Sequence, residues 1–424
     1  MATISAPESN QLDFQIERKC RFCDHDLTHS FVDLGLSPPC ENVRLPADMD
    51  KQEVFFPLHV FLCDSCWLVQ LREYIAPDDI FVEYAYFSSM SESWLAHARK
   101  YADDMVARFG LDSSNQVIEI ASNDGYLLQN FVRMKIPALG VEPAINVARV
   151  GEEKGVRSIN KFFGVQTAKE IVADGIRADL LLGNNVLAHV PDLNDFVGGM
   201  KVVLSPQGVI TMEFPHLLRL MENRQFDTIY HEHYSYLSLL TVQKVFEHHG
   251  LRVFDVQELA SHGGSIRVFA THEECSQHPR LDAVDNLLRT ELAAGLNTLG
   301  AYQAFRGEVE ALKFDILSFL IKAKREGKTV AGYGAPGKGI TLLNYCGIRS
   351  DLMPFTVDRN EYKQGTFMPG TGIPVFSPDY LRDVKPDYVF ILPWNLKKEI
   401  MQQMEDIRSW GSKFVVPIPA LEVL

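Results

Sequence analysis

No stretch of this chain approaches the roughly 20 consecutive apolar residues that a membrane-spanning helix requires, so no membrane span is expected. Residues 1–19 are polar and lack the basic-then-apolar order of a secretory leader, which points to a cytoplasmic protein. Positive charge is in short supply: 41 Lys and Arg against 55 Asp and Glu leave a formal net charge of −14. Such an acidic chain does not suit broad contact with a phosphate backbone, so nucleic acid is excluded as the main partner. A local basic pocket for a small phosphorylated ligand is not excluded. Cysteine is scarce and odd in number, seven in 424 residues, which argues against a disulfide framework in the cytoplasm. What is present is a 46% apolar chain, long enough for two or three domains.

Four of the cysteines form two C-x-x-C pairs, Cys20/Cys23 and Cys63/Cys66. A tight knuckle at each pair aims two thiolates at one ion, and two knuckles complete a tetrahedral site suited to zinc. A closed four-sulfur shell leaves no open position, so the ion is read as structural, supplying folding energy to a small module. Residues 54–62 and 67–71 read as strands of a ribbon between and after the knuckles. An aromatic cluster at 81–87, containing Tyr84, runs into Ser88 and Ser89. It reads either as an interdomain packing patch or as a lid that stacks on a flat ring. A helix is expected from Glu92 to Phe109.

From residue 116 the pattern alternates strand and helix, which predicts a parallel sheet with ligands at the strand carboxyl ends. Strands are expected at 116–121, 139–142, 179–183 and 208–214. Those at 251–257 and 265–270 leave no room for a helix between them and should form a hairpin. Glu119, the turn Ser122-Asn123-Asp124-Gly125 and Glu142 about twenty residues on fit an adenosyl ligand, the second acid holding ribose hydroxyls. Only Gly125 survives from a glycine-rich pattern. Asp124 would repel a pyrophosphate but not a sulfonium ligand carrying an ammonium group, which favours S-adenosylmethionine over NAD here. Asn184 and Asn185 end the strand that begins at Asp179 and join the candidate cofactor set.

Residues 226–236 pack His231, Glu232, His233, Tyr230, Tyr234 and Tyr236 closely together. An extended segment would split these side chains between two faces. A tight turn would let Glu232 and His233 converge on one cleft. The segment reads either as a general base with its orienting partners or as aromatic packing with satisfied histidines. His231 and His233 also form an H-x-H pair, which would suit a hydrolytic metal. Further on, Gly332-Tyr-Gly334-Ala-Pro-Gly337 matches G-x-G-x-x-G, with Asp358 ending the next strand. That fingerprint reads as a dinucleotide site, as a phosphate site with Lys338 at the helix start, or as glycines serving tight packing.

The ordered set Cys20-x-x-Cys23…Cys63-x-x-Cys66, Tyr84-x-Tyr86-x-Ser88-Ser89, Glu119-Ile-Ala-Ser-Asn-Asp-Gly125, Gly140-Val-Glu-Pro143, Asn185-Val-Leu-Ala-His189, Tyr230-His-Glu232-His233, His262-Gly-Gly264 and Gly332-Tyr-Gly-Ala335 resembles the nucleotide-sugar C-methyltransferases of deoxysugar pathways. The resemblance covers essentially the whole chain. It implies an α/β fold: a zinc module (1–78), a Rossmann-like methyltransferase domain (79–280), and a helical connector with a second Rossmann-like domain (281–424). It also implies methyl transfer from S-adenosylmethionine to a carbon, usually C3, beside a 4-keto group. The positions of His189, Tyr230, Glu232 and His233 would line the reaction site, with His233 as the base. The family often has Asp where this chain has His231, so His231 stays outside the catalytic set. Lys338 would meet the diphosphate of a small nucleotide-sugar substrate, with Arg267 and Lys363 as lesser candidates. His262 lies near the same mouth or merely turns a hairpin. An NAD-dependent oxidoreductase working through the C-terminal domain is the competing expectation. Oligomeric state is open, a monomer being compatible with the sequence.

Overall fold

The computed structural model describes residues 18–76 and 87–424. Its N-terminal part is an antiparallel meander built around the knuckles: β1 (His29–Ser37), β2 (Phe56–Leu62) and β3 (Val69–Leu71). The ribbon expected at 54–62 and 67–71 is β2 and β3. β1 was not anticipated, because its adjacent buried residues Phe31 and Val32 break the alternation and the strand carries register shifts.

The middle of the chain supplies β4 (Val117–Ile120), β5 (Ala138–Val141), β6 (Arg157–Ile159), β7 (Ala178–Asn184), β8 (Leu204–Pro215), β9 (Ser235–Tyr236), β10 (Leu251–Leu259) and β11 (Ser265–His272). All but β9 form one seven-stranded sheet in the order β10-β11-β8-β7-β4-β5-β6. The strands β4 to β8 pair in parallel, and β11 runs antiparallel to both its neighbours. Helices such as Ile145–Glu153, Val165–Ala173 and Leu193–Val203 make the crossovers. β4 is buried at every position, as an apolar strand covered on both faces must be. After β4 the chain goes first to one side and later to the other, so a crevice opens where the carboxyl ends of β4 and β7 part. β9 leaves this sheet and pairs with β3.

Two helices follow, Asp282–Ala293 and Leu299–Arg325. In the longer one the buried residues Tyr302, Phe305, Val309, Leu312, Ile316, Leu320 and Ala323 recur at three- and four-residue spacing. This stripe reaches the N-terminal meander, where Phe31 stacks on Phe305 with ring centroids 4.7 Å apart. The last sheet holds β12 (Val330–Tyr333), β13 (Thr356–Val357), β14 (Val375–Phe376), β15 (Tyr388–Ile391), β16 (Lys413–Val416) and β17 (Glu422–Val423), ordered β14-β13-β12-β15-β16-β17. Its strands are parallel except β17, and its own crevice lies between the ends of β12 and β15. Among the described residues no helix is long and apolar enough to cross a membrane.

Candidate active site

The four knuckle sulfurs meet in space. Cys20 Sγ lies 3.6 Å from Cys66 Sγ, and Cys23 Sγ lies 3.5 Å from Cys63 Sγ. All four fall within 4.8 Å of one another. A disulfide would bring sulfurs to about 2 Å. Four thiolates around zinc, each about 2.3 Å from the ion, sit nearly 4 Å apart. The spacing therefore fits a tetrahedral Cys₄ zinc site. Hydrogen bonds among the thiols lower Cys20 and raise Cys63 and Cys66 in turn, as expected of sulfurs crowded into one cluster.

The carboxyl ends of both parallel sheets face one cavity of about 650 Å³. Its lining draws Ala121, Asn123 and Glu142 from the ends of β4 and β5, Asn184, Asn185 and His189 from the end of β7 and the segment after it, Tyr230, Glu232, His233 and His262 from the segments between β8 and β11, and Pro336, Gly337, Lys338 and Asn395 from the C-terminal domain. Four of the lining residues, Ala121, Asn123, Asn185 and His262, hold a left-handed backbone (φ 56°, 48°, 56° and 53°). Side chains other than glycine adopt that conformation at a cost, and such strain collects where a site needs it.

Where an adenosyl group is expected, Glu142 accepts from the backbone N–H groups of Asn123 and Ala144, both at 2.9 Å. Burial nevertheless raises its carboxyl above the ordinary range. Asn184 is nine-tenths buried, and neither its Oδ1 nor its Nδ2 has a protein partner. An orphaned amide facing a cavity fits a polar ligand. Glu119 and three residues of the turn itself, Ser122, Asp124 and Gly125, lie outside the cavity lining. Asp124 takes a hydrogen bond from Ser89 and an ion pair from Lys154 (3.2 Å), and Asn123 Oδ1 accepts from Ser88 N (2.9 Å). Asp124 and Ser89 thus brace the turn together, and Ser88 reaches the lining. Tyr84, with residues 81–86 of the aromatic cluster read as a packing patch or a lid, lies outside the described residues.

At residues 230–233 the tight-turn alternative describes the chain, since His233 N donates to Tyr230 O (2.9 Å). The Tyr230 ring lies 4.0 Å from the His233 ring, and the His189 ring meets His233 edge-on at 4.7 Å. His233 Nδ1–H donates to Thr228 O (2.9 Å), which leaves the Nε2 lone pair to accept a proton. Burial, with His189 and Lys338 nearby, holds His233 neutral well below the usual imidazole range. Burial likewise lowers His189 to about 4, although the Glu232 carbonyl accepts from it. The Glu232 carboxyl meets the Cys40 thiol at 3.6 Å, and burial beside Glu41 pushes it up to about 7. His231 faces away, edge-on to Phe56 and Tyr74, and among the described residues it joins no group of possible metal ligands.

His262 projects from the β10–β11 turn, and its Nε2 accepts from Asn185 Nδ2 at 2.9 Å. Burial and Lys338 lower it to about 4. Lys338, second residue of the helix Gly337–Cys346, donates to Asn395 Oδ1 (3.0 Å) and lies 4.6 Å over the Trp394 ring. Arg267 is spent in a buried ion pair with Glu213 (2.6 Å), and Lys363 donates to Ala335 O (2.8 Å); both lie outside the lining. In the G-x-G-x-x-G loop, Asp358 accepts from Ala335 N (2.6 Å), so the acid of that fingerprint caps the loop. A Cβ at Gly332 would lie 2.6 Å from Thr356 Oγ1, which supports the packing reading of that glycine. Glu41, Trp394 and Asn395 were not foreseen from sequence. The rule that ligands sit past strand carboxyl ends, applied to β15, would have pointed to residues 393–396.

Three family models match the chain: "Putative zinc binding domain" over residues 20–81, "Methyltransferase domain" over 94–256 and "C-methyltransferase C-terminal domain" over 260–419. The C-methyltransferase NovU of Streptomyces niveus is 38% identical over 406 residues, covering 96% of each chain. A ubiquinone biosynthesis O-methyltransferase of Bradyrhizobium is 27% identical over 154 residues, 31% of this chain and 60% of its own. Among solved structures, an S-adenosylmethionine-dependent methyltransferase from Clostridium acetobutylicum aligns with 41% of this chain and 90% of its own, at 12% identity and a TM-score of 0.33.

Proposed function

Since the chain belongs to the zinc-containing, S-adenosylmethionine-dependent C-methyltransferase family, we propose that it methylates C3 of a nucleotide-linked deoxysugar, beside a 4-keto group, through an enolate. The observation that carries this reading is the single cavity in which an adenosyl-type crevice, a buried neutral histidine and a lysine at a helix start face one another. In this reading residues 1–78 fold around zinc, 79–280 hold cofactor and base, and 281–424 close over the nucleotide.

S-adenosylmethionine, when bound, supplies an electrophilic methyl group on a sulfonium. Asn123, Glu142, Asn184 and Asn185 would hold it at the carboxyl ends of the central strands. The 4-ketone acidifies the neighbouring C–H, and His233 Nε2 removes that proton, a step typically worth about 10²–10⁴ in rate. The Thr228 carbonyl fixes the tautomer that makes this possible and steadies the imidazolium once formed. Tyr230 donates to the enolate oxygen as charge gathers there, while neutral His189, whose N–H is spent on the Glu232 carbonyl, lines the site as an acceptor. Glu232, poised near neutrality, serves a sugar hydroxyl. Lys338 and the free N–H groups at the start of its helix receive the diphosphate. The test is incubation with methyl-labelled S-adenosylmethionine and a panel of 4-keto nucleotide sugars. Label on C3 of one sugar is the expected result. Transfer to oxygen or nitrogen, or to none of the panel, contradicts the reading.

A further inference from the structure

The Cys₄ site and the Tyr230–His233 turn are joined by a short run of hydrogen bonds. β3 leaves the second knuckle directly, Cys63 N donating to Leu68 O (2.9 Å), and pairs with β9, which follows the turn: Val69 faces Tyr236 and Gln70 faces Ser235. Leu71 N donates to Tyr234 O (2.9 Å), and Tyr234 N donates to Ala188 O (2.8 Å), so the residues beside His233 and His189 are tied in series. Buried Gln70 donates to Cys20 Sγ (3.2 Å) and accepts from Arg21 N (2.9 Å). The Arg21 guanidinium then reaches Leu71 O and Pro191 O (2.7 Å) and lies 5.4 Å over the Tyr234 ring.

We propose that Arg21, with Gln70 behind it, is a positioning residue that transmits the order of the zinc knuckles to the reacting turn. The fork of one guanidinium spans the end of β3, the segment after His189 and the ring next to His233, which no ammonium can do at once. The zinc module then acts as a jig for the chemistry, beyond being a fold-stabilising appendage. The inference leans on the proposed reaction for its kinetic consequence, though its central measurement needs no sugar.

The experiment compares zinc content, backbone amide exchange and kinetics in Arg21→Ala and Arg21→Lys. The expected result is zinc retained at the wild-type ratio, and exchange at residues 233–236 faster by about tenfold or more, while β4 and β7 stay protected. On the sugar that turns over, kcat falls about tenfold with KM for S-adenosylmethionine unchanged. A general loss of folded protein would instead raise exchange everywhere. Unchanged exchange at 233–236 with zinc retained overturns the proposal, as does loss of zinc in step with the turn, which would make Arg21 a holder of the metal site alone. Should neither variant fold, Gln70→Ala carries the same expectations. If no sugar is methylated, amide exchange still decides the proposal, while the failure falls on the substrate reading.

Discussion

His233 is the residue on which the proposed chemistry turns, and its environment sets a definite expectation. Its Nδ1 is committed to Thr228 O and its ring is buried, so only Nε2 can act. His233→Ala should lower turnover by about 10²–10⁴ while calorimetric affinity for S-adenosylhomocysteine stays within error; near-normal turnover would remove it as the base. Glu232 makes a different prediction, about pH. Its folded value is raised from 4.5 to about 7 by burial and by Glu41. A carboxyl raised in the fold gives stability that is complete below the unfolded value and is lost as pH rises through the folded one. Replacing it with a neutral isostere should therefore help most at high pH. Glu232→Gln should gain up to about 3 kcal/mol relative to wild type between pH 4.5 and pH 8, read from denaturant midpoints. A gain confined to acid pH would contradict the assignment.

Among the elements, the β10–β11 turn shows how a loop earns its place. His262, Gly263 and Gly264 are all left-handed (φ 53°, 91° and 121°). Gln225 Nε2 donates to Gly263 O (2.7 Å), and a Cβ on Gly263 would lie 2.6 Å from Trp394 Cη2. Gly263→Ala should cost about 1–3 kcal/mol and loosen the C-terminal domain's wall of the cavity; equal stability by thermal unfolding would show that the contact yields freely. The knuckles predict more. Cys63→Ser should lose zinc and more than about 4 kcal/mol of stability together, measured by metal analysis and unfolding. Such elements were readable in the chain to differing degrees. The helix Glu92–Phe109 was expected at those bounds, because Ser91 caps it and Gly110 ends it. The alternation from residue 116 gave the parallel strands, and the pairing of cysteines gave the metal cluster. β9 was hidden: two residues in a long polar and aromatic stretch carry no period, and their partner β3 lies far away in sequence. The inward or outward aim of Asp124 was equally invisible, since a turn's composition does not say which acceptor Ser89 and Lys154 will claim.

At the scale of the whole molecule, the cavity belongs to no single domain. Glu41 comes from the N-terminal part, His233 from the middle and Lys338 from the last sheet, so closure of the site is a property of their packing. The join near Lys338 is electrostatically unfinished. Asp227 is wholly buried and accepts from Trp394 Nε1 (2.7 Å), yet its other oxygen has no protein partner, and burial lifts the carboxyl to about 6. Burial depresses the Lys338 ammonium, with Asp227 opposing the shift from across the indole. An anion arriving at Lys338 would supply the counter-charge that Asp227 gives only at a distance. Lys338→Met should therefore raise KM for the nucleotide sugar by about tenfold or more, the range for losing one charge-assisted contact, and flatten the salt dependence of that KM. Affinity for S-adenosylhomocysteine should not move, because the crevice proposed for it lies between β4 and β7. If calorimetry instead finds cofactor binding weakened and the sugar's KM unchanged, Lys338 serves the cofactor and the diphosphate rests elsewhere.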